Sequence, residues 1–221
     1  MNVATSIERT TLATQAYRAL RSQILNQQLK PGKKLVVREL SEVLDLSPTP
    51  IKSALTTLTQ EGFVVHIPHQ GFFVHELDAS DLKEIYELRE MIEGLAARLA
   101  AQHADQKLIE KLESLLKKQL AFDHDNIGHY GELDNAFHQT LWEASGNKRL
   151  VDAASTFQHQ VGSFINNSVM APGRFEASKQ EHEAVVQAIV AQKPEEAEAH
   201  MRNHVRNAGA AIQDYLSEQN D

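Results

Sequence analysis

Apolar residues recur at helical spacing through the first part of the chain. Between residues 10 and 27 they return every fourth position, which predicts one helix. Two shorter segments with the same spacing follow at about 37–44 and 47–60, and a tight turn at Asp45 and Leu46 separates them. Two short helices joined by a tight turn are typical of a helix-turn-helix motif.

After the third predicted helix the composition becomes typical of strands. Residues 63–67 and 72–75 are rich in Phe and Val, and a turn sequence at 68–71 separates them. Two strands are marginally stable alone, so this predicted wing must pack on the helices. Ser47 suits a helix N-cap and Pro48 suits the first helical position. The elements therefore predict a winged helix-turn-helix, whose third helix fits the major groove of DNA.

Helical periodicity alone continues through the rest of the chain. It predicts six helices, at about 80–103, 105–122, 128–145, 147–168, 174–192 and 194–218. We therefore predict a mainly α protein with an N-terminal winged helix-turn-helix and a C-terminal all-α antiparallel bundle. The predicted divisions are a mobile N-terminus at 1–9, the winged helix-turn-helix at 10–75, a linker at 76–80 and the bundle at 81–221.

The sign of the net charge changes between the predicted winged helix-turn-helix and the helical part that follows it. The net charge is −8, yet residues 1–75 carry a net +3 and residues 76–221 a net −11. A basic first part suits DNA, and an acidic second part suggests a different partner. There are no cysteines, which excludes thiolate metal sites and a Cys nucleophile. Because no stretch approaches the roughly 18 apolar residues of a membrane span, we expect a cytoplasmic protein without a membrane partner.

Polar residues of the predicted motif are the expected DNA contacts. Ser and Thr bond to phosphates or base edges, while Lys52 can reach a guanine or a phosphate. Arg38 should lie over the DNA backbone, and the wing tip could enter a minor groove, where glycine allows close approach. The alternative for Lys52 and Arg38 is an ordinary solvated charge. The expected contacts are Arg38, Ser47, Thr49, Lys52, His69, Gln70 and Gly71.

This part of the chain resembles the DNA-binding domain of the GntR family of bacterial transcriptional regulators. The residues that carry the resemblance are Pro31-Gly32, Leu35, Leu40, Ser47, Thr49-Pro50, Ala54-Leu55, Glu61-Gly62 and Gly71. The segment from Arg38 to Glu42 is similar to the FadR pattern, which implies that Arg38 contacts DNA. The recognition helix departs from the family, because Pro48 and Lys52 stand where Arg is common. Lys imitates the bidentate contacts of Arg poorly, so the family's operator rules do not transfer.

Histidines and one aspartate in the helical part have the chemistry of a metal site. Asp134 and His138 are four apart and so share a helix face, while His182 and His204 lie on two later predicted helices. One carboxylate and three imidazoles suit Zn²⁺, Ni²⁺ or Fe²⁺. Taken singly, each histidine is more often a core or surface residue. His200, one turn from His204, competes with it as a ligand.

Residues 80–218 resemble the FCD effector-binding domain of the FadR subfamily. Tyr86–Arg89, Glu93 and Ala96-Ala97 carry the resemblance, and six helices match its VanR-like branch. The resemblance implies a divalent transition metal, most often Zn or Ni, with a small organic acid bound at or beside it. The implied metal ligands are Asp134, His138, His182 and His204, and the candidate effector contacts are Arg89, Asn166 and Arg202. The alternative for these last three is a salt bridge or helix cap, favoured for Arg202.

We therefore expect a homodimeric transcription regulator, a repressor released by a small carboxylated metabolite. Two-fold symmetry implies that two winged helices read the two halves of a palindrome. Alternatives are a sensor for which the metal itself is the effector, and a metal-free pocket lined by histidines. A metal-dependent hydrolase is a further alternative, although the sequence has no His-Glu-x-x-His motif. We expect no enzyme activity.

Overall fold

The computed structural model describes residues 11–26, 28–122, 127–169 and 173–219, without the side chains of 127–129, 159–160, 162–169, 216 and 218–219. The predicted mobile segment 1–9 lies outside the described residues. The chain divides into two compact units, one ending at Leu77 and the other beginning at Asp78. Among the described helices, none has the length and apolar character needed to cross a membrane.

The first unit is a winged helix-turn-helix. Its elements are α1 (Leu12–Leu25), β1 (Lys34–Leu35), α2 (Val37–Leu44), α3 (Pro48–Gln60), β2 (Val64–Ile67) and β3 (Gly71–Val74). Asp45 ends α2 in the left-handed conformation, with φ of 52°, and so starts the tight turn before α3. Gly62, with φ of 77°, follows the C-cap of α3 and turns the chain toward β2.

The core of this unit lies between α1, α3 and the wing. Ile51, Ala54, Leu55 and Leu58 face inward as the spacing predicted, and each is at most 1% exposed. Leu12 belonged to the predicted apolar face of α1, yet it is 54% exposed, because the first turn of α1 extends beyond this core.

The wing has three strands where the sequence predicted two. The strand order is β1-β3-β2, and both pairings are antiparallel. Strand β1 pairs Lys34 with Phe73 and buries Leu35 against the helices. A two-residue strand contains no alternation, so the periodicity of the sequence could not reveal it.

The second unit is a helical bundle, which confirms the predicted fold class. Its helices are α4 (Ala79–Gln102), α5 (Gln106–Leu120), α6 (Ile127–Ala144), α7 (Lys148–Val169), α8 (Arg174–Val190) and α9 (Pro194–Gln219). Helix α4 begins inside the predicted linker 76–80, because the Asp78 side chain accepts from the backbone of Ser80 and Asp81 in a capping box.

Helices α4 and α9 pack closely at two glycines. A Cβ on Gly94 would lie 2.4 Å from Cγ of Arg202, and one on Gly209 would lie 2.9 Å from Cδ1 of Tyr86. A larger residue at either position would therefore require these side chains or the helices to shift. This close packing fixes α9, and with it one of the predicted metal ligands, against α4.

Candidate metal centre and DNA-facing surface

Three helices bring the four predicted metal ligands together in the core of the second unit. Asp134 and His138 come from α6, His182 from α8 and His204 from α9. One ligand atom from each lies within 4.8 Å of the others. All four residues are buried, with 5% exposure or less. His200, the competing histidine one turn away on α9, is exposed and is not part of the cluster.

The histidines turn their Nε2 atoms toward one another and toward the carboxylate. Nε2 of His182 lies 3.2 Å from Nε2 of His204 and 3.7 Å from Oδ1 of Asp134. Oδ2 of Asp134 lies 3.9 Å from Nε2 of His138. The ring of Phe137 stacks on His182, with centroids 4.2 Å apart, and holds its orientation. The cluster therefore presents three imidazole nitrogens and a carboxylate to one point.

Each histidine also has a hydrogen-bond partner at its outward Nδ1. Glu93 meets Nδ1 of His138, Oε1 of Gln119 lies 3.0 Å from Nδ1 of His182, and Oε2 of Glu181 lies 2.8 Å from Nδ1 of His204. All three partners are acceptors, so each favours a proton on Nδ1 and a lone pair on Nε2. This tautomer is the one that binds a metal through Nε2.

Two of these acceptors are held by buried arginines. Nε of Arg89 donates to Glu93 at 2.8 Å, and Nη1 of Arg174 donates to Glu181 at 2.9 Å. Burial would raise the pKa of Glu93, but the charges of Arg89 and His138 lower it strongly. Burial likewise opposes ionisation of Glu181, yet its hydrogen bonds to His204 and Arg174 lower its pKa to about 2. Both carboxylates are thus ionised acceptors near neutral pH.

The environment of the histidines differs from one ring to the next. Burial lowers the pKa of His182 well below its ordinary value, and the charges of the two other histidines add to this effect. Burial also lowers the pKa of His204, against the hydrogen bond to Glu181. For His138 the burial effect is outweighed by the charge of Glu93, which raises the pKa. Two of the three rings are therefore held neutral, the form that binds metal.

The donor set fits a divalent transition metal. Three imidazoles and one carboxylate are typical ligands of Zn²⁺ and Ni²⁺. Each imidazole has the outward hydrogen bond that orients ligating histidines in metal sites. A cluster built only for core packing would have no need of three converging nitrogens.

The candidate effector residues have different environments. Arg89 is buried, donates to Glu93, and has an Nη1 atom without a hydrogen-bond partner among the described residues. Arg202 donates to Glu90 at 3.0 Å and so forms the ion pair favoured by the alternative interpretation. Its contact with an effector stays a prediction. The side chain of Asn166 lies outside the described residues.

The predicted DNA contacts lie on the surface of the first unit. Ser47, Thr49 and Lys52 are exposed at the N-terminal end of α3. Ser47 is the N-cap residue, but its side chain makes no capping hydrogen bond. Arg38 is 89% exposed at the start of α2 and pairs with Glu42 at 3.2 Å. Arg38, Ser47 and Lys52 line one concave surface with Ser41 and Pro48.

The tip of the wing is a tight turn exposed to solvent. The backbone N–H of Gln70 donates to the carbonyl of Ile67 at 3.0 Å and closes the turn. His69 has φ of 64° and Gly71 has φ of 105°. A φ of 105° lies in a region that side chains rarely allow, which makes glycine the suitable residue at position 71.

Sequence reasoning did not assign a role to three residues that hold the cluster. Gln119, Glu181 and Arg174 are 63, 23 and 30 residues from the histidines that they contact. Of the three, only Glu181 has a local signal in the sequence, because it is adjacent to His182. Arg89 and Glu93 are four apart on α4, a spacing that predicts an ion pair.

Comparison with known proteins agrees with both units. Residues 12–74 match the model of bacterial regulatory proteins of the gntR family, and residues 84–207 match the FCD domain. An uncharacterized HTH-type transcriptional regulator from an unstable DNA locus of Streptomyces ambofaciens is 30% identical over 193 residues, which cover 86% of this chain and 80% of that protein.

Two further proteins are similar over different lengths. The Nta operon transcriptional regulator of Aminobacter aminovorans is 34% identical over 132 residues, which are 60% of this chain and 63% of that relative, less than two thirds of its length. The solved structure of E. coli McbR/YncC has the same fold, with a TM-score of 0.75 at 22% identity, covering 93% of this chain and 99% of that one. This chain belongs to the GntR family of bacterial transcriptional regulators and carries an FCD domain.

Proposed function

We propose that this regulator binds operator DNA as a homodimer and represses transcription until a small carboxylated metabolite binds beside a metal in the FCD domain. One observation carries the proposal: the buried convergence of Asp134, His138, His182 and His204, with all four ligand atoms within 4.8 Å. In a family of DNA-binding regulators, such a cluster is the feature best suited to link a small ligand to the protein.

The four clustered side chains would hold a divalent ion, with Zn²⁺ or Ni²⁺ the best match to imidazole and carboxylate ligands. A bound ion would supply positive charge for the oxygen of an anionic ligand. Glu93, Gln119 and Glu181 contact the three rings from outside and so orient their Nε2 atoms toward the ion. The surrounding apolar core excludes water and strengthens the attraction between charges.

Arg89 supports a carboxylate as the effector. Its guanidinium is buried, and Nη1 has no hydrogen-bond partner among the described residues. A buried donor without a partner is costly, so a ligand carboxylate that accepts this N–H gains affinity. Arg89 also pairs with Glu93, which contacts His138, so a ligand at Arg89 would affect the metal cluster directly.

A stripe of exposed apolar residues on α4 supports a dimer. Leu88, Met91 and Leu95 follow one another at helical spacing and are 52%, 55% and 41% exposed. Exposed apolar patches with a polar rim are typical of protein contact surfaces. A second copy of the chain is the proposed occupant, because a palindromic operator requires two winged helices related by a two-fold axis.

The test combines an operator selected from random duplexes with a panel of small mono- and dicarboxylates. Binding of labelled DNA is followed by fluorescence anisotropy, with zinc-loaded protein and with a His182→Ala variant. The proposal expects a carboxylate that weakens DNA binding by the loaded wild type and has no effect on the variant. Release of DNA by zinc alone would make the metal the effector. A carboxylate that acts equally on both proteins would contradict a metal-assisted site.

A further inference from the structure

Nδ1 of His204 has two competing neighbours. Oε2 of Glu181 lies 2.8 Å away, and Nη2 of Arg174 lies 3.2 Å away. A neutral imidazole nitrogen either donates to a carboxylate or accepts from a guanidinium, and these two choices put the ring proton on opposite nitrogens. Nδ1 of His182 faces only an amide oxygen, Oε1 of Gln119, among the contacts described for it.

The choice at Nδ1 decides whether His204 is a metal ligand. Donation to Glu181 leaves a lone pair on Nε2, the atom that faces His182 across 3.2 Å. Acceptance from Arg174 would put the proton on Nε2 instead, and a protonated nitrogen does not bind metal. The two neighbours of one atom therefore have opposite effects on the cluster.

Glu181 contacts both His204 and Arg174, so its carboxylate favours one of the two hydrogen bonds at Nδ1 over the other. Its carboxylate also accepts from Nη1 of Arg174 at 2.9 Å and from Nδ2 of Asn207 at 2.7 Å. The Glu181 carboxylate thus binds the guanidinium of Arg174 and also accepts a hydrogen bond from Nδ1–H of His204. Arg174 is 7% exposed, so water is a poor substitute partner for it.

We propose that Glu181 is a positioning residue, which keeps His204 in its metal-binding tautomer by occupying Arg174. The inference rests on the proposed metal site and deepens it. Removal of Glu181 frees Arg174 to donate to Nδ1 and turns His204 from a ligand into a donor. The loss of zinc affinity in a variant without Glu181 should therefore exceed the effect of one missing hydrogen bond. Removal of Arg174 in the same variant should restore part of that affinity.

The test measures zinc dissociation constants by competition with a chromophoric chelator. Glu181→Ala should weaken zinc binding on the order of 10- to 100-fold, the usual effect of losing a partner of a ligating histidine. Arg174→Met should bind zinc nearly as wild type, and the double variant should bind more tightly than Glu181→Ala alone. Glu183→Ala, which removes a carboxylate two residues along α8 whose described bond is to Gln187, is the matched control.

Two results would overturn the inference: Glu181→Ala binding within about twofold of wild type, or a double variant no tighter than Glu181→Ala. His204→Ala distinguishes failure of this inference from failure of the metal site. If His204→Ala loses zinc while Glu181→Ala binds it normally, the metal site is supported but Glu181 does not position His204. Failure of the wild type to bind zinc would remove both proposals. If Glu181→Ala does not fold, ¹⁵N NMR of the metal-free wild type decides: the His204 proton is expected on Nδ1, and finding it on Nε2 overturns the inference.

Discussion

His182 and His204 face each other through Nε2 atoms that lie 3.2 Å apart in the core of the bundle. Outward acceptors favour a lone pair on each of these nitrogens, and two facing lone pairs repel each other. A shared proton or a cation would relieve the repulsion. Burial lowers the pKa of both rings, most strongly for His182, which disfavours the proton. A metal cation is the better chemical match.

The first prediction concerns pH and the metal-free protein. The pKa of His182 is lowered by burial, so between its folded value and the unfolded value of about 6.5 the unfolded chain binds more protons. Stability from this group is therefore present above about pH 6.5 and is lost as pH falls. Urea unfolding of His182→Asn should show a smaller loss between about pH 7.5 and 5.5 than wild type. An equal loss in the two proteins would contradict the burial of a neutral ring. His138 has a raised pKa and opposes the trend in both proteins.

A second prediction tests the close packing of α4 and α9. In Gly94→Ala the new Cβ would meet Cγ of Arg202 at 2.4 Å, close to the backbone of α9, where the side chain has little freedom to move. We expect a loss of about 1–3 kcal/mol in the free energy of unfolding. Glu87→Ala, at an exposed position of the same helix, is the control and should be nearly neutral. A stabilised Gly94→Ala would mean that helix propensity outweighs the contact.

A third prediction concerns the DNA-facing surface. Lys52 is exposed near the start of α3, where a phosphate contact would release counterions. Lys52→Ala should weaken operator binding and reduce the slope of log affinity against log salt by about 1. Lys107→Ala, an exposed lysine on α5, should change neither quantity. An unchanged slope for Lys52→Ala would mean that Lys52 makes no phosphate contact and is a solvated charge.

A fourth prediction concerns the apolar stripe on α4. Met91→Glu places a charge in the middle of the proposed contact between two copies, where burial without a partner is unfavourable. Sedimentation should then show a monomer at concentrations where a dimer is expected for the wild type. Leu120→Glu changes a similarly exposed leucine of α5, at 45% exposure, and should leave the dimer intact. Dissociation by both variants, or by neither, would contradict the stripe as the interface.

Local patterns predicted the helices of the first unit well, because helical spacing and an N-cap are visible along a single segment. Helix α2 occupies Val37–Leu44 as the spacing indicated, and α3 begins at Pro48 after its predicted N-cap. Strand β1 was missed, since its pairing with β3 joins residues nearly forty apart and only the folded chain brings them together. The start of α4 was placed a residue late, because Asp78 and Asp81 cap it reciprocally.

All four residues of the cluster were named from the sequence, but the residues that orient their rings were not. Asp134 and His138 share a helix face, a local relationship that spacing reveals. Gln119 reaches His182 from another helix, and no pattern along α5 distinguishes it from a solvated glutamine. Long-range contacts of this kind are set by helix packing, so the structure alone could identify the residues that orient the three rings.

Metal content measured by elemental analysis tests the central claim most directly. Wild type, His182→Ala/His204→Ala and His200→Ala are purified side by side and supplied with Zn²⁺ or Ni²⁺. About one metal per chain is expected in the wild type and in His200→Ala, whose imidazole is exposed one turn from the cluster, and none in the double variant. Equal metal in all three proteins, or none in the wild type after loading, would contradict a metal centre at these four residues.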